Sequence, residues 1–132
     1  MKLHFKPSEF NISGEPIPED VADKIQEYHI IPLQKVREEH GQPIYVSENS
    51  GYRSKEWEKS KGRSGNSQHT FKIEGAVDLT SDDLDRLQQD LIEHSPYKRI
   101  CRYNSFIHCD YKGNERILYK YDNGWKRVKS LD

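Results

Sequence analysis

Arg99-Ile100-Cys101-Arg102-Tyr103-Asn104-Ser105-Phe106-Ile107-His108-Cys109-Asp110-Tyr111 reads as two strands joined by a turn at Asn104. Isoleucine and aromatic residues supply the apolar positions, and the asparagine between them is a turn former. Alternate side chains of a strand share a face. Phe106, His108 and Asp110 therefore point one way, and Ile107, Cys109 and Tyr111 the other. The second set can be buried. The first places an imidazole and a carboxylate on one face of a sheet.

Working outward, Arg116 to Tyr121 and Trp125 to Val128 continue as strands, with turns at Lys112-Gly113-Asn114 and at the hairpin signal Asp122-Asn123-Gly124. Upstream, Gly75-Ala76-Val77-Asp78-Leu79 is a strand. Thr80 with Asp83 forms a capping box for a helix carrying Leu84, Leu87 and Leu91 on one face and ending near Ser95-Pro96. Pro43 to Ser47 is another strand. A helix is expected from Glu19 to His40, with Val21, Ile25, Tyr28, Pro32 and Val36 as its apolar stripe and Gly41 as its C-cap. Pro32 should kink or split it, since proline removes one helical hydrogen bond. Ser50 to Ser54 is a turn leading into a short helical piece through Trp57, and Ser60 to Asn66 is a loop. This order predicts a single α+β domain over residues 1–132, with a mostly antiparallel sheet.

Bulk composition bounds the function. Of 132 residues, 33 % are hydrophobic and 33 % charged, while an 11 % aromatic content supports one real core. Net charge is -1, which demands no polyanionic partner. The basic run Arg53, Lys55, Lys59, Lys61, Arg63 is interrupted by Glu56 and Glu58 and reads as a solvated face, so no nucleic-acid partner is expected. No stretch approaches the roughly 20 apolar residues of a membrane span. Met1 to Pro7 lacks the apolar run of a secretory signal, so the expectation is a soluble protein made in a cytoplasm; a monomer is expected separately. Cys101 and Cys109 are too few for a disulfide scaffold and are expected to be reduced and buried, with a bridge across the hairpin as the alternative.

Six histidines are present, and four have ordinary readings. His4 lies near the terminus in a short strand, His29 is mid-helix, and His40 and His94 are at helix C-termini, where imidazole suits the dipole. His69 and His108 differ. His69 follows Ser67-Gln68 just before the strand that bears Asp78, and His108 shares a face with Asp110. Asp78, between Val77 and Leu79 in a half-buried strand, needs a cation or hydrogen-bond donors. An imidazole alone could provide them; a metal held with both histidines would satisfy it better. No short HxxxH or CxxC spacing marks such a site.

Ser50-Gly51-Tyr52-Arg53-Ser54, Asn66-Ser67-Gln68-His69, Gly75-Ala76-Val77-Asp78-Leu79 and Phe106-Ile107-His108-Cys109-Asp110 occur in an order that resembles the zinc D-Ala-D-Ala carboxypeptidases and endolysin-type peptidases. Their fold is shared with the hedgehog signalling domain. The resemblance spans roughly Val21 to Tyr111 and is closest to the compact versions of small single-stranded DNA bacteriophages. It implies a hedgehog/DD-peptidase-like α+β fold with Zn2+ held by His69, Asp78 and His108. Three protein ligands and one open position are the arrangement of catalytic zinc. It also implies that Arg53 holds a substrate carboxylate or a developing oxyanion, and that Ser67 binds substrate or shapes its loop. The implied substrate is a peptidoglycan stem peptide, which the protein would reach at the cell wall on phage lysis or by being carried there in the virion.

Two departures stand out. The interval from His69 to Asp78, nine residues, is longer than in many relatives, which leaves room for a bulge over Thr70 to Glu74. The family's acid–base carboxylate falls where this chain has Ser105, and the hedgehog-like one where it has Arg102. Asp110 is the first candidate for the missing catalytic base; its rival role is to accept the other N–H of a ligand histidine. Glu74 is a third option. The alternatives to a peptidase are a zinc-bearing binding module without turnover and a metal-free interaction domain.

Overall fold

The computed structural model describes residues 5, 7–10, 17–46 and 74–130. Within them six strands form one sheet in the order β1-β2-β4-β3-β5-β6. They are β1 Ile44–Val46, β2 Ala76–Ser81, β3 Arg99–Arg102, β4 Ile107–Asp110, β5 Ile117–Tyr121 and β6 Trp125–Val128. Every pairing is antiparallel except that of β3 with β5. The described helices are α1 Glu19–Ile25, α2 Ile31–His40 and α3 Leu84–His94. The expected mixed α+β architecture with a mostly antiparallel sheet is present. The loop expected over Ser60 to Asn66, the helical piece through Trp57 and His4 lie outside the described residues.

The period-two pattern read from Phe106 to Tyr111 holds, because ladder pairing fixes the faces. Val77 pairs with Cys109, and Cys109 with Ile100. These residues, with Leu79 and Ile107, are buried in one core with Ile25, Leu33, Val36, Leu87 and Leu91 of the helices. The helices thus occupy one face of the sheet, and Asp78, His108 and Asp110 leave from the other. Cys101 and Cys109 are free. Cys101 pairs with His108 and so faces the opposite way from Cys109, which rules out a bridge between them.

Three local readings are corrected. The helix expected from Glu19 to His40 is interrupted by a π turn, Gln26–Ile30, one turn ahead of Pro32. Pro32 has no N–H to offer the Tyr28 carbonyl. That carbonyl instead accepts the Tyr111 hydroxyl at 2.5 Å. The wider turn advances the apolar stripe, so Ile30 and Leu33 are buried while Tyr28 and Pro32 are only partly so. Thr80 does not cap α3. β2 runs on through Ser81 to pair with Ile44, and the Thr80 hydroxyl donates to the Ser105 carbonyl at 3.0 Å. Asp83 is the cap, accepting the Arg86 N–H at 3.1 Å.

Gly41 ends α2 as expected, at φ 72°, with its N–H on the Arg37 carbonyl. The C-terminal end of α3 is held differently. Arg116 donates to the carbonyls of Ile92, Ser95 and Tyr97, so one guanidinium satisfies three acceptors around the helix end. Among the described residues no helix is long and apolar enough to cross a membrane.

Candidate metal centre

Asp78 and His108 are direct register partners across β2 and β4, which sends both side chains out of the same face. Their Oδ1 and Nδ1 atoms are 2.9 Å apart. The other ring nitrogen, Nε2, lies 2.8 Å from Oδ2 of Asp110, two residues along the same strand. Asp110 in turn pairs with Arg99 of β3. The Arg99 fork reaches it through Nε to Oδ1 at 2.8 Å and Nη2 to Oδ2 at 2.5 Å, and the Lys112 N–H adds a bond to Oδ1 at 3.0 Å. A carboxylate has about four lone-pair sites. On Asp110 all four are filled: Arg99 and Lys112 on one oxygen, His108 and Arg99 on the other.

The electrostatics follow from this chain of contacts. Asp110 is fully buried, which alone would raise its pKa. The bonds from His108 and Arg99 outweigh burial and hold the carboxyl well below the usual carboxylate range. Burial alone would lower the pKa of His108, but Asp110 and Asp78 on its two nitrogens raise it. Both ring nitrogens of His108 face carboxylate oxygens, so a neutral ring, with one N–H, would point the lone pair of its other nitrogen at a carboxylate. Such a pair is stable only with a cation between the two atoms, either a proton or a metal. Cys101, next to His108 on this face, has its thiol pushed up to about 12 by burial, so it is a protonated neighbour.

An aromatic wall borders the pair. Trp125 meets the His108 ring edge-on at 5.0 Å between centroids. The Arg99 guanidinium lies 4.6 Å from the same indole. The indole N–H donates to the Tyr103 hydroxyl at 2.6 Å, and Tyr103 is stacked between Phe106 and Tyr121.

Of the expected site residues, the structure brings together Asp78, His108 and Asp110. His69, Arg53 and Ser67 lie outside the described residues. Arg102 is engaged by Asp85 and Gln88 of α3. Glu74 contributes its backbone carbonyl to His29. His40 is buried and ties α2 to Asp90 of α3 at 2.8 Å and to Ser81 of β2 at 2.6 Å. A second cluster, Asp90, Glu93 and His94, arises from helical spacing on α3. Its most buried member, Asp90, is taken up by His40 and Arg86.

Sequence reasoning missed Arg99 and Trp125. Arg99 could have been found by alternation within its own strand. Trp125 could not, because its place depends on how the sheet coils.

The donors suit a small, borderline-soft divalent ion. An imidazole nitrogen and a carboxylate oxygen, 2.9 Å apart on one face of the sheet, are donor types that such an ion takes. A carboxylate on the far nitrogen of a ligand histidine is the usual support for such a site. A family model described as Peptidase M15 matches residues 3–110. No curated protein and no solved structure matches the chain.

Proposed function

The chain belongs to the peptidase M15 family, and from that membership we propose that it is a zinc-dependent peptidase of peptidoglycan stem peptides, of D,D-carboxypeptidase or endopeptidase type. The observation that carries this reading is the aligned pair Asp78–His108 with Asp110 behind it. His69, Asp78 and His108 would hold the zinc. When bound, the metal supplies an acidified water and a Lewis acid for the scissile carbonyl.

The chain's own residues divide the remaining work. On this reading Asp110 fixes the tautomer of His108 by accepting its Nε2–H, which turns Nδ1 towards Asp78 as the ligand atom. With its lone pairs already filled, Asp110 has no site for a proton from water, so we assign it positioning rather than base catalysis. Arg99 keeps Asp110 ionised and oriented. Arg53 would anchor the substrate carboxylate as a planar fork, and Ser67 would bind substrate beside it. A hedgehog/DD-peptidase-like fold, a phage origin and action at the cell wall rest on the motif resemblance.

The experiment is release of D-Ala or a shortened stem peptide from purified wall peptides by the zinc-loaded chain. Product that depends on zinc and is lost on chelation supports the peptidase. A second reading has a specific observation behind it: Ser105 and Arg102 stand where relatives carry the acid–base carboxylate, and Asp110 is fully engaged. On that reading the chain binds zinc and wall peptide without turnover. Stoichiometric zinc with peptide binding but no product would select it.

A further inference from the structure

We propose that Trp125 is a positioning residue of the metal centre, clamping Arg99 in the geometry that fixes Asp110 and, through Asp110, His108; this rests on the zinc reading above. Trp125 belongs to the β5–β6 hairpin, which lies beyond residues 3–110 of the family match.

Its placement is not what the strand order alone would give. β6 is three strands from β4. Neighbouring strands lie about 4.8 Å apart, so a flat sheet would separate the two by about 14 Å. The 5.0 Å between the Trp125 and His108 rings means that sheet twist and the lean of the side chains together carry Trp125 across the metal-site face. The ladder supplies the right side chains for this: Tyr121 pairs with Trp125 and Tyr119 with Arg127, so Tyr119, Tyr121 and Trp125 share a face with Cys101 and His108.

Trp125 is held on several sides. Its indole N–H is bonded to Tyr103, itself locked in the stack of Phe106, Tyr103 and Tyr121. Tyr119 packs against it at 5.0 Å. What it presents to Arg99 is an electron-rich ring surface that attracts a guanidinium and excludes water from one side of it. Water would otherwise compete with Asp110 for the fork. The contacts thus run in series from Trp125 to Arg99 to Asp110 to His108, with each group fixing the next.

The test uses the full chain and reads zinc affinity by competition with a chelating dye, the visible absorption of the cobalt-substituted protein, and unfolding of the metal-free protein. Trp125→Leu should weaken zinc about tenfold or more and alter the cobalt spectrum, as loss of support behind a ligand histidine does. Trp125→Phe keeps a ring under Arg99 and should restore most of the affinity. Arg99→Gln should weaken zinc comparably, and the double variant Arg99→Gln/Trp125→Leu should be no weaker than Arg99→Gln alone, because both act on one link. Unchanged affinity and spectrum in Trp125→Leu, or fully additive losses, would overturn the proposal. Should Trp125→Leu not fold cooperatively, Trp125→Met, which keeps apolar bulk without the ring, decides: a weakened site with an altered cobalt spectrum supports the proposal and an unchanged one overturns it. A wild-type chain that takes up no zinc overturns the metal-centre reading itself, and this proposal with it.

Discussion

The Nδ1 atom of His108 and the Oδ1 atom of Asp78 stand 2.9 Å apart between directly paired residues of β4 and β2. Their relation is set by the hydrogen-bonded ladder of a central strand pair, so these two donors are preorganised by the backbone. Asp110 and Arg99 extend the same arrangement along β4 and across to β3.

Asp110→Asn preserves volume but puts an amide where a fully engaged carboxylate stood. One end of that amide donates, and both Arg99 and His108 already donate there. Zinc affinity should fall about 10–100-fold. Competition with a chelating dye measures it, and an affinity equal to wild type would remove Asp110 from the support of His108.

Arg53→Ala should raise KM for wall peptides and leave zinc content unchanged, if Arg53 has the proposed role of anchoring a substrate carboxylate. Steady-state kinetics beside elemental analysis separate the two effects. Loss of zinc in this variant would make Arg53 a support of the fold.

His29 gives the fold a pH dependence of its own. Its ring is buried between the Glu74 carbonyl, at 2.9 Å, and the Tyr97 hydroxyl, at 2.8 Å. Burial lowers its pKa to about 4, against the opposing pull of the Glu74 bond. Unfolding raises it to about 6.5. The unfolded chain therefore binds more protons between these values, and stability is lost as pH falls from about 6.5 to about 4. The contribution is up to about 3 kcal/mol. Denaturant unfolding across this window should show a shallower pH slope in His29→Gln than in wild type; identical slopes would assign the dependence to other groups.

Arg116→Ala leaves the carbonyls of Ile92, Ser95 and Tyr97 without their shared donor. Partial hydration limits the cost, which should be about 2–3 kcal/mol. Arg116→Lys should recover only part of it, because an ammonium cannot span three acceptors as the planar fork does. Thermal unfolding checks both. Zinc affinity should not change, since Arg116 serves the end of α3.

Much of this was legible in the sequence where one physical rule dominates. Alternation in Phe106 to Tyr111 assigned the faces of β4, and the ladder kept them. Leu84, Leu87 and Leu91 defined α3, and Gly41 closed α2. Where two rules competed, local reading failed. Thr80 looked like a cap because it precedes Asp83, yet pairing with Tyr45 across the sheet kept it in the strand. Pro32 was rightly a disruption, but its effect appears one turn earlier, as a π turn that shifts the buried stripe to Ile30 and Leu33. The pairing of Asp78 with His108 had to be inferred from motif order, because strand register is a long-range property. Trp125 was invisible because its contact with His108 depends on the coiling of the whole sheet.

Elemental analysis of the purified wild-type chain beside Asp78→Ala, His108→Ala, His69→Ala and His94→Ala reads the metal centre itself. About one zinc ion per chain is expected in wild type and His94→Ala and none in the other three, as three protein ligands at one site require. Zinc retained at wild-type level in Asp78→Ala or His108→Ala, or lost equally in His94→Ala, would contradict that expectation.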